Sequence, residues 1–189
     1  MRRLLPAAML VILLPAGCAA DPPRPAPAPS VAADTTTSGI DVLFLTMMVA
    51  HTEQTLEIVR LGLDRAADTR IRTLIAAIDV TETDELASMR GWLRDAGPSA
   101  MAVAARHDHS GHSDAVAGLA RLRAAAPGDV DRVLLDVLSA HQRTAAALAG
   151  AQVRAGSSER VRELARRIER SRTAEVELMA KLPAAPPGR

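Results

Sequence analysis

Apolar residues recur along this chain in alternating steps of four and three. Within 71–92 the positions Ile71, Ile75, Ile78, Glu82, Glu85, Met89 and Trp92 follow that spacing, and within 161–182 so do Val161, Ala165, Ile168, Arg172, Glu175, Met179 and Leu182. Two earlier stretches share it: Phe44, Met48, His51, Thr55 and Ile58, then Leu134, Leu138, His141, Ala145 and Leu148. Each is the seam of an amphipathic helix packed lengthwise on neighbours, and each turns polar at its middle.

Punctuation residues bound four long helices. The first starts after Ser38 and runs to about Arg65; the second is capped by Asp68 and ends before Gly97-Pro98. Asp129 caps the third, which stops near Gly156, and Ser157 or Ser158 opens the fourth, which ends at Pro183. Both intervening turns are very short, which makes each pair an antiparallel hairpin. Between the hairpins the chain offers a flexible stretch, Ser99 to His112, and a short helix from Ser113 to Ala126.

The two hairpins are copies of one another. Asp41-Val42-Leu43-Phe44-Leu45 leads to His51 as Asp131-Arg132-Val133-Leu134-Leu135 leads to His141, at an offset of ninety residues. The offset persists without a gap, pairing Ile71, Leu74, Ile78, Glu85 and Met89 with Val161, Leu164, Ile168, Glu175 and Met179. Neither hairpin can bury its stripe alone, so the expected fold is all-α, one antiparallel four-helix bundle of two repeated hairpins over 39–183. Its divisions are hairpin 1 at 39–97, linker and short helix at 98–127, and hairpin 2 at 128–183, with a disordered tail at 184–189.

Counting from the turns places the polar seam residues level with each other. His51 stands about fifteen residues before the first turn and Glu82 about fifteen after it, with Glu85 one turn further; His141 faces Arg172 and Glu175 by the same count. A mid-height layer of two histidines and two glutamates follows. Buried charge is costly alone, so these groups must satisfy one another, bind an ion or face water.

Composition agrees. The 189 residues are 48% hydrophobic but only 1% aromatic, without tyrosine, which suits aliphatic helix packing rather than a β-sandwich. The formal charge is +1, and removing residues 1–17 takes away Arg2 and Arg3 but no acid, leaving −1, so nothing points to nucleic acid.

The N-terminus reads as an export signal: basic Met1-Arg2-Arg3, apolar Leu4 to Leu14, then Pro15-Ala16-Gly17 before the single cysteine, Cys18. The apolar stretch is too short for a stable membrane span. The junction resembles the lipobox of bacterial lipoproteins, whose cysteine is acylated and holds the protein to the membrane surface, although Pro15 stands where leucine is usual. Simple secretion or a retained anchor are the alternatives. Residues 18–38, rich in Pro, Ala and Thr, form a disordered tether.

Taken together, Asp41, Phe44-Leu45, Met47-Met48 and His51, followed by Glu85-Leu86, Met89 and Trp92-Leu93, resemble the family called domain of unknown function 305, from about Gly39 to Leu182. The linker fits as well, with Met101, His107-Asp108-His109, His112 and Ser113-Asp114. The resemblance implies a ferritin-like helical bundle, export from a bacterial cell, and handling of a transition metal, copper especially. Departures are visible: His51-Thr52 and His141-Gln142 stand where the family has His-His, and Glu82 and Arg172 where it has Gln.

Thioether and imidazole suit Cu(I), and carboxylate with imidazole suits Zn(II) or Cu(II). Candidate metal ligands are therefore His51, Glu85, Met47, Met48 and Met89 in the first hairpin, His141 and Glu175 in the second, and His107, His109 and His112 in the linker. The competing reading has each histidine donating to a glutamate with methionines as packing, and the linker as a solvated loop. Beside His141, Arg172 repels a cation and favours an ion pair.

No Glu-x-x-His, His-Glu-x-x-His, Gly-x-Ser-x-Gly or phosphate loop occurs, so catalysis is not expected. Two functions stay open. One is a cell-envelope lipoprotein that binds or buffers copper or zinc. The other is a non-catalytic interaction module that has lost the metal ligands and presents Arg160, Arg162, Arg166, Arg167 and Arg170 to an anionic partner or lipid, a face that also reads as a solvated helix surface paired with Glu159, Glu163 and Glu169. Whether the bundle forms a homodimer stays open.

Overall fold

The computed structural model describes Thr37, residues 39–106 and residues 115–182. Residues 1–36, with Cys18 and most of the tether, and Ser38, the linker residues His107, His109 and His112, and the tail after Leu182 lie outside the described residues. Within them the chain is all-α, and no helix is long and apolar enough to cross a membrane.

The four long helices are α1 (Gly39–Arg65), α2 (Thr69–Asp95), α5 (Val130–Ala155) and α6 (Glu159–Lys181). Between the hairpins lie α3 (Pro98–Arg106) and α4 (Ala115–Ala124), with a 3-10 turn at Pro127–Asp129 before α5. The short helix expected from Ser113 is α4. The stretch from Ser99, expected to be flexible, begins as α3 instead: Gly97, at φ 88°, turns the chain out of α2, and Pro98 presets the first helical φ. Ala100 of α3 is buried with Val42, Phe44 and Leu93.

Asp68 caps α2 through a bond from the Arg70 amide, 2.7 Å, whereas Asp129 and Ser158 precede α5 and α6 without a side-chain cap bond. The hairpin turns are instead held across the repeat. Asp131, at the start of α5, accepts from the amides of Ala67 and Asp68, both at 2.9 Å. Asp41, at the start of α1, accepts from Ser157 at 3.2 Å, Ser158 at 3.1 Å and the Gln152 amide at 2.6 Å. The donors are related by the same ninety residues as the acceptors. Each aspartate is a buried charge made tolerable by these donors, and the reciprocity fixes α1 antiparallel to α5.

The helices form an antiparallel bundle in which α1 and α5 are central, α2 packs on α1 and α6 on α5. Nearly every seam position is buried; Glu85, Trp92, Leu148 and Leu182 are partly so. The apolar interior falls into two clusters, one around Ile58, Ile71, Ile75, Leu134 and Met179, the other around Leu45, Met48, Met89, Leu164 and Ile168. Between them stand His51, Thr55, Glu82, His141, Gln142 and Arg172, all buried. Ile71, Ile75 and Leu134 of the first cluster stand ninety residues from Val161, Ala165 and Phe44 of the second, on either side of this polar waist.

Helix α4 lies across α1 and α5. Gly118 permits the approach, since a Cβ there would sit 2.6 Å from Val137 Cγ1. The Arg65 guanidinium closes the helix C-terminus, donating to the carbonyls of Leu122, Arg123 and Ala125.

Candidate functional site at the polar waist

The helical repeat delivers His51 and His141 to the α1/α5 contact, where their rings stack with centroids 3.7 Å apart and planes 5° from parallel. Each Nε2 donates to the backbone carbonyl of the other histidine, both at 3.1 Å. Because a carbonyl only accepts, both rings carry the proton on Nε2, and the lone pair of the neutral ring resides on Nδ1. Burial, and then the neighbouring His141 ring, lowers the pKa of His51 from 6.5 to about 3. Its imidazole is neutral at physiological pH.

A cavity of about 230 Å³ opens beside the stack, between α1, α4 and α5. His51 and His141 stand in its wall with Ile58, Val137, Thr144 and Arg121. Ala115, the first residue of α4, lines it too, three residues after His112 in the chain.

The carboxylates lie elsewhere in the waist. Arg172, only 1% exposed, is ion-paired to Glu82 at 3.3 Å, to Glu85, and to Glu175 at 3.3 Å. Gln142 donates from Nε2 to Glu82 and to Glu175, each at 2.7 Å, and Ser171 donates to Glu175 at 2.7 Å. Three carboxylates share one guanidinium, so the group cannot hold every charge it could carry. Burial pushes Glu82 up to about 7 against the pull of Arg172 and Gln142, and burial raises Glu175 as well. Burial disfavours the charged form of Arg172, yet its three carboxylates keep its pKa above the ordinary value.

This geometry corrects the expected contacts. The histidines pair with each other rather than with Glu82, Glu85 or Glu175, because the half-turn axis passes between them and their nearest acceptors are each other's carbonyls. The expected Arg172 ion pair is present and is larger than a pair. Met48 and Met89, 1% and 0% exposed, sit in the apolar cluster with Leu164 and Ile168, whereas Met47 borders an outer groove. Among the described residues, no group of three or more His, Cys, Asp or Glu side chains is placed to hold a metal ion. The structure divides these interior candidates: His51 and His141 stand at the α1/α5 contact, Glu85 and Glu175 beside Arg172, and Met48 and Met89 in an apolar cluster.

Three functional residues escaped the sequence reading. Asp41 and Asp131 mark the repeat in the sequence, and Asp41 the family resemblance, but their turn contacts were not expected, although their recurrence at ninety residues was the available signal. Gln142, read as a lost histidine, is the bridge between two carboxylates. On α6, Arg162 and Arg166 are engaged by Glu159 and Glu163, and Arg160 lies over the Trp92 ring at 4.6 Å. Those three members of the basic face are thus occupied within the molecule.

The chain belongs to the DUF305 family, the domain of unknown function whose model matches residues 41–183. Solved structures share its fold. A DUF305 protein from Streptomyces coelicolor is 25% identical with a TM-score of 0.68, covering 84% of this chain and 98% of its own. A DUF305 fragment from Deinococcus radiodurans is 19% identical with a TM-score of 0.65, covering 76% and 95%. CopM in its Cu(II)-bound form is 22% identical with a TM-score of 0.63, covering 75% and 93%. No curated protein matches the chain.

Proposed function

We propose that this chain is an exported copper-binding protein, tethered to the membrane surface through Cys18, that takes its metal at imidazoles, those of the linker and of His51, rather than at the buried methionines and glutamates. It acts as a binding protein and not as a catalyst. The observation that carries the reading is the reciprocal histidine pair: each Nε2–H is committed to a carbonyl, the arrangement that orients ligating histidines in metal sites, and His51 has no proton to lose before a metal binds. The cavity beside the pair has α4 in its wall, and the chain entering α4 carries His107, His109 and His112.

Three comparisons support the reading. CopM, of the same fold, has been solved with Cu(II) and with Cu(I). The Streptomyces coelicolor relative has been described as a candidate secreted protein, and Cys18 follows a basic, apolar and small-residue leader. Imidazoles suit Cu(II), and Zn(II) is the natural competitor.

Titration of the purified chain with Cu(II), Cu(I) and Zn(II) tests this. Replacing His107, His109 and His112 with Ala should remove most Cu(II) binding, and adding His51→Ala should remove the remainder. Full binding by the fourfold variant would exclude these sites.

A further inference from the structure

The half-turn that relates the hairpins fails on the outer face of the α1/α5 pair. On one half of that face, Ala115, Leu119 and Leu122 of α4 are buried in one cluster with Ile58, Val130, Val133 and Val137. The ninety-residue relation carries these four to Leu148, Ile40, Leu43 and Met47. There the structure has a groove of about 130 Å³, walled by those residues with Phe44, Ala151, Gln152 and Ala155 and without a charged side chain. Val130 is 1% exposed under α4, and its counterpart Ile40 is 43% exposed.

Helix α4 itself has a second apolar face. Val116 is 76% exposed, and Ala117, Ala120 and Ala124 are exposed beside it, flanked by Arg123 and by Arg121, which is held by Asp136 at 2.5 Å. One face of the molecule thus carries a ridge of small uncharged residues on one half and an uncharged groove on the other, at positions that a half-turn interchanges.

We propose that this face joins two copies of the chain, the α4 ridge of each lying in the α1/α5 groove of the other. A second copy is the occupant that fits, because a half-turn about an axis in the plane of this face sets both ridges into both grooves and closes the assembly. A different partner would cover the groove and leave Val116 exposed. The small side chains of the ridge, Ala117, Ala120 and Ala124, let α4 enter a groove walled by larger apolar ones, and an interface core depleted of charge is the usual composition for such contacts.

The test is disulfide trapping in the full chain, expressed in a bacterial host and oxidised in the presence of a chelator. Ala120 and Ala151 are exposed, so Ala120→Cys with Ala151→Cys leaves the fold intact. The doubly substituted chain should shift from monomer to covalent dimer on a non-reducing gel, and adding Met47→Glu should abolish the shift. A dimer formed equally by either single substitution, no dimer from the pair, or a dimer indifferent to Met47→Glu would overturn the proposal. Chelation keeps the outcome separate from that of the copper titration.

Discussion

The imidazole of His51 lies face to face with that of His141, 3.7 Å away, although ninety residues separate them in the chain. Each ring donates to the other's backbone, so the pair joins the two hairpins, and burial keeps the His51 ring neutral.

Stability should respond to acid in two opposed ways. His51 has a folded pKa of about 3 against 6.5, so the unfolded chain binds the extra proton between those values, and stability falls as pH drops through that window. Glu82 has a folded pKa of about 7 against 4.5, so its contribution is complete below 4.5 and is lost as pH rises to 7. Between 4.5 and 6.5 the two slopes cancel, and below 4.5 the histidine acts alone. Urea midpoints measured from pH 3 to pH 8 should show a plateau at mildly acidic pH, a steep loss below it and a shallow decline toward neutrality. In Glu82→Gln the decline toward neutrality should shrink, Glu175 supplying what is left.

Replacing Arg172 with Met leaves Glu82, Glu85 and Glu175 buried without their shared cation. Loss of one partner of a buried ion pair costs about 3–5 kcal/mol. Chemical denaturation should register that loss at neutral pH and a smaller one at pH 5, where Glu82 and Glu175, both raised by burial, are closer to neutral. Equal losses at both values would mean that packing, not charge, is what Arg172 supplies.

Asp41→Ala and Asp131→Ala each strip acceptors from a hairpin turn. Unsatisfied buried donors cost about 1–3 kcal/mol each, and Asp41, with three donors to Asp131's two, should be the more damaging loss. Hydrogen exchange should speed up at the Ser157 and Ser158 amides in the first variant and at those of Ala67 and Asp68 in the second. Protection unchanged at these amides would show that the turns hold without the aspartates.

Met48→Leu and Met89→Leu preserve volume in an apolar cluster. Such exchanges cost less than about 1.5 kcal/mol, and copper stoichiometry should remain that of the parent chain. A drop in Cu(I) binding would instead place the metal in the interior.

Much of the fold was legible in the residues. The four-and-three spacing of Ile71, Ile75 and Ile78 and its equivalents marks a buried helix stripe, and the match of Asp41 to Asp131 and His51 to His141 shows that two hairpins share one plan. Their short turns leave antiparallel pairing as the only outcome. The polar middle of each seam was legible too. Its wiring was not, because a seam position names a height and a face but not a partner: Glu82 and His51 stand level, yet His51 reaches a carbonyl on α5 and Glu82 reaches Gln142 and Arg172. Helix α3 escaped notice because it is short and its start depends on Gly97 and Pro98 rather than on periodicity.

By itself, the order of residues determined the class, the repeat, the bundle and the height of its polar layer, since these follow from spacing along one chain. Only the tertiary structure decided which polar groups meet. Side-chain reach is a few ångströms, so the choice between a carboxylate, a carbonyl and a second imidazole depends on where the axis between the hairpins falls. It falls between His51 and His141, and that placement divides the waist into a neutral imidazole pair and a separate cluster around Arg172.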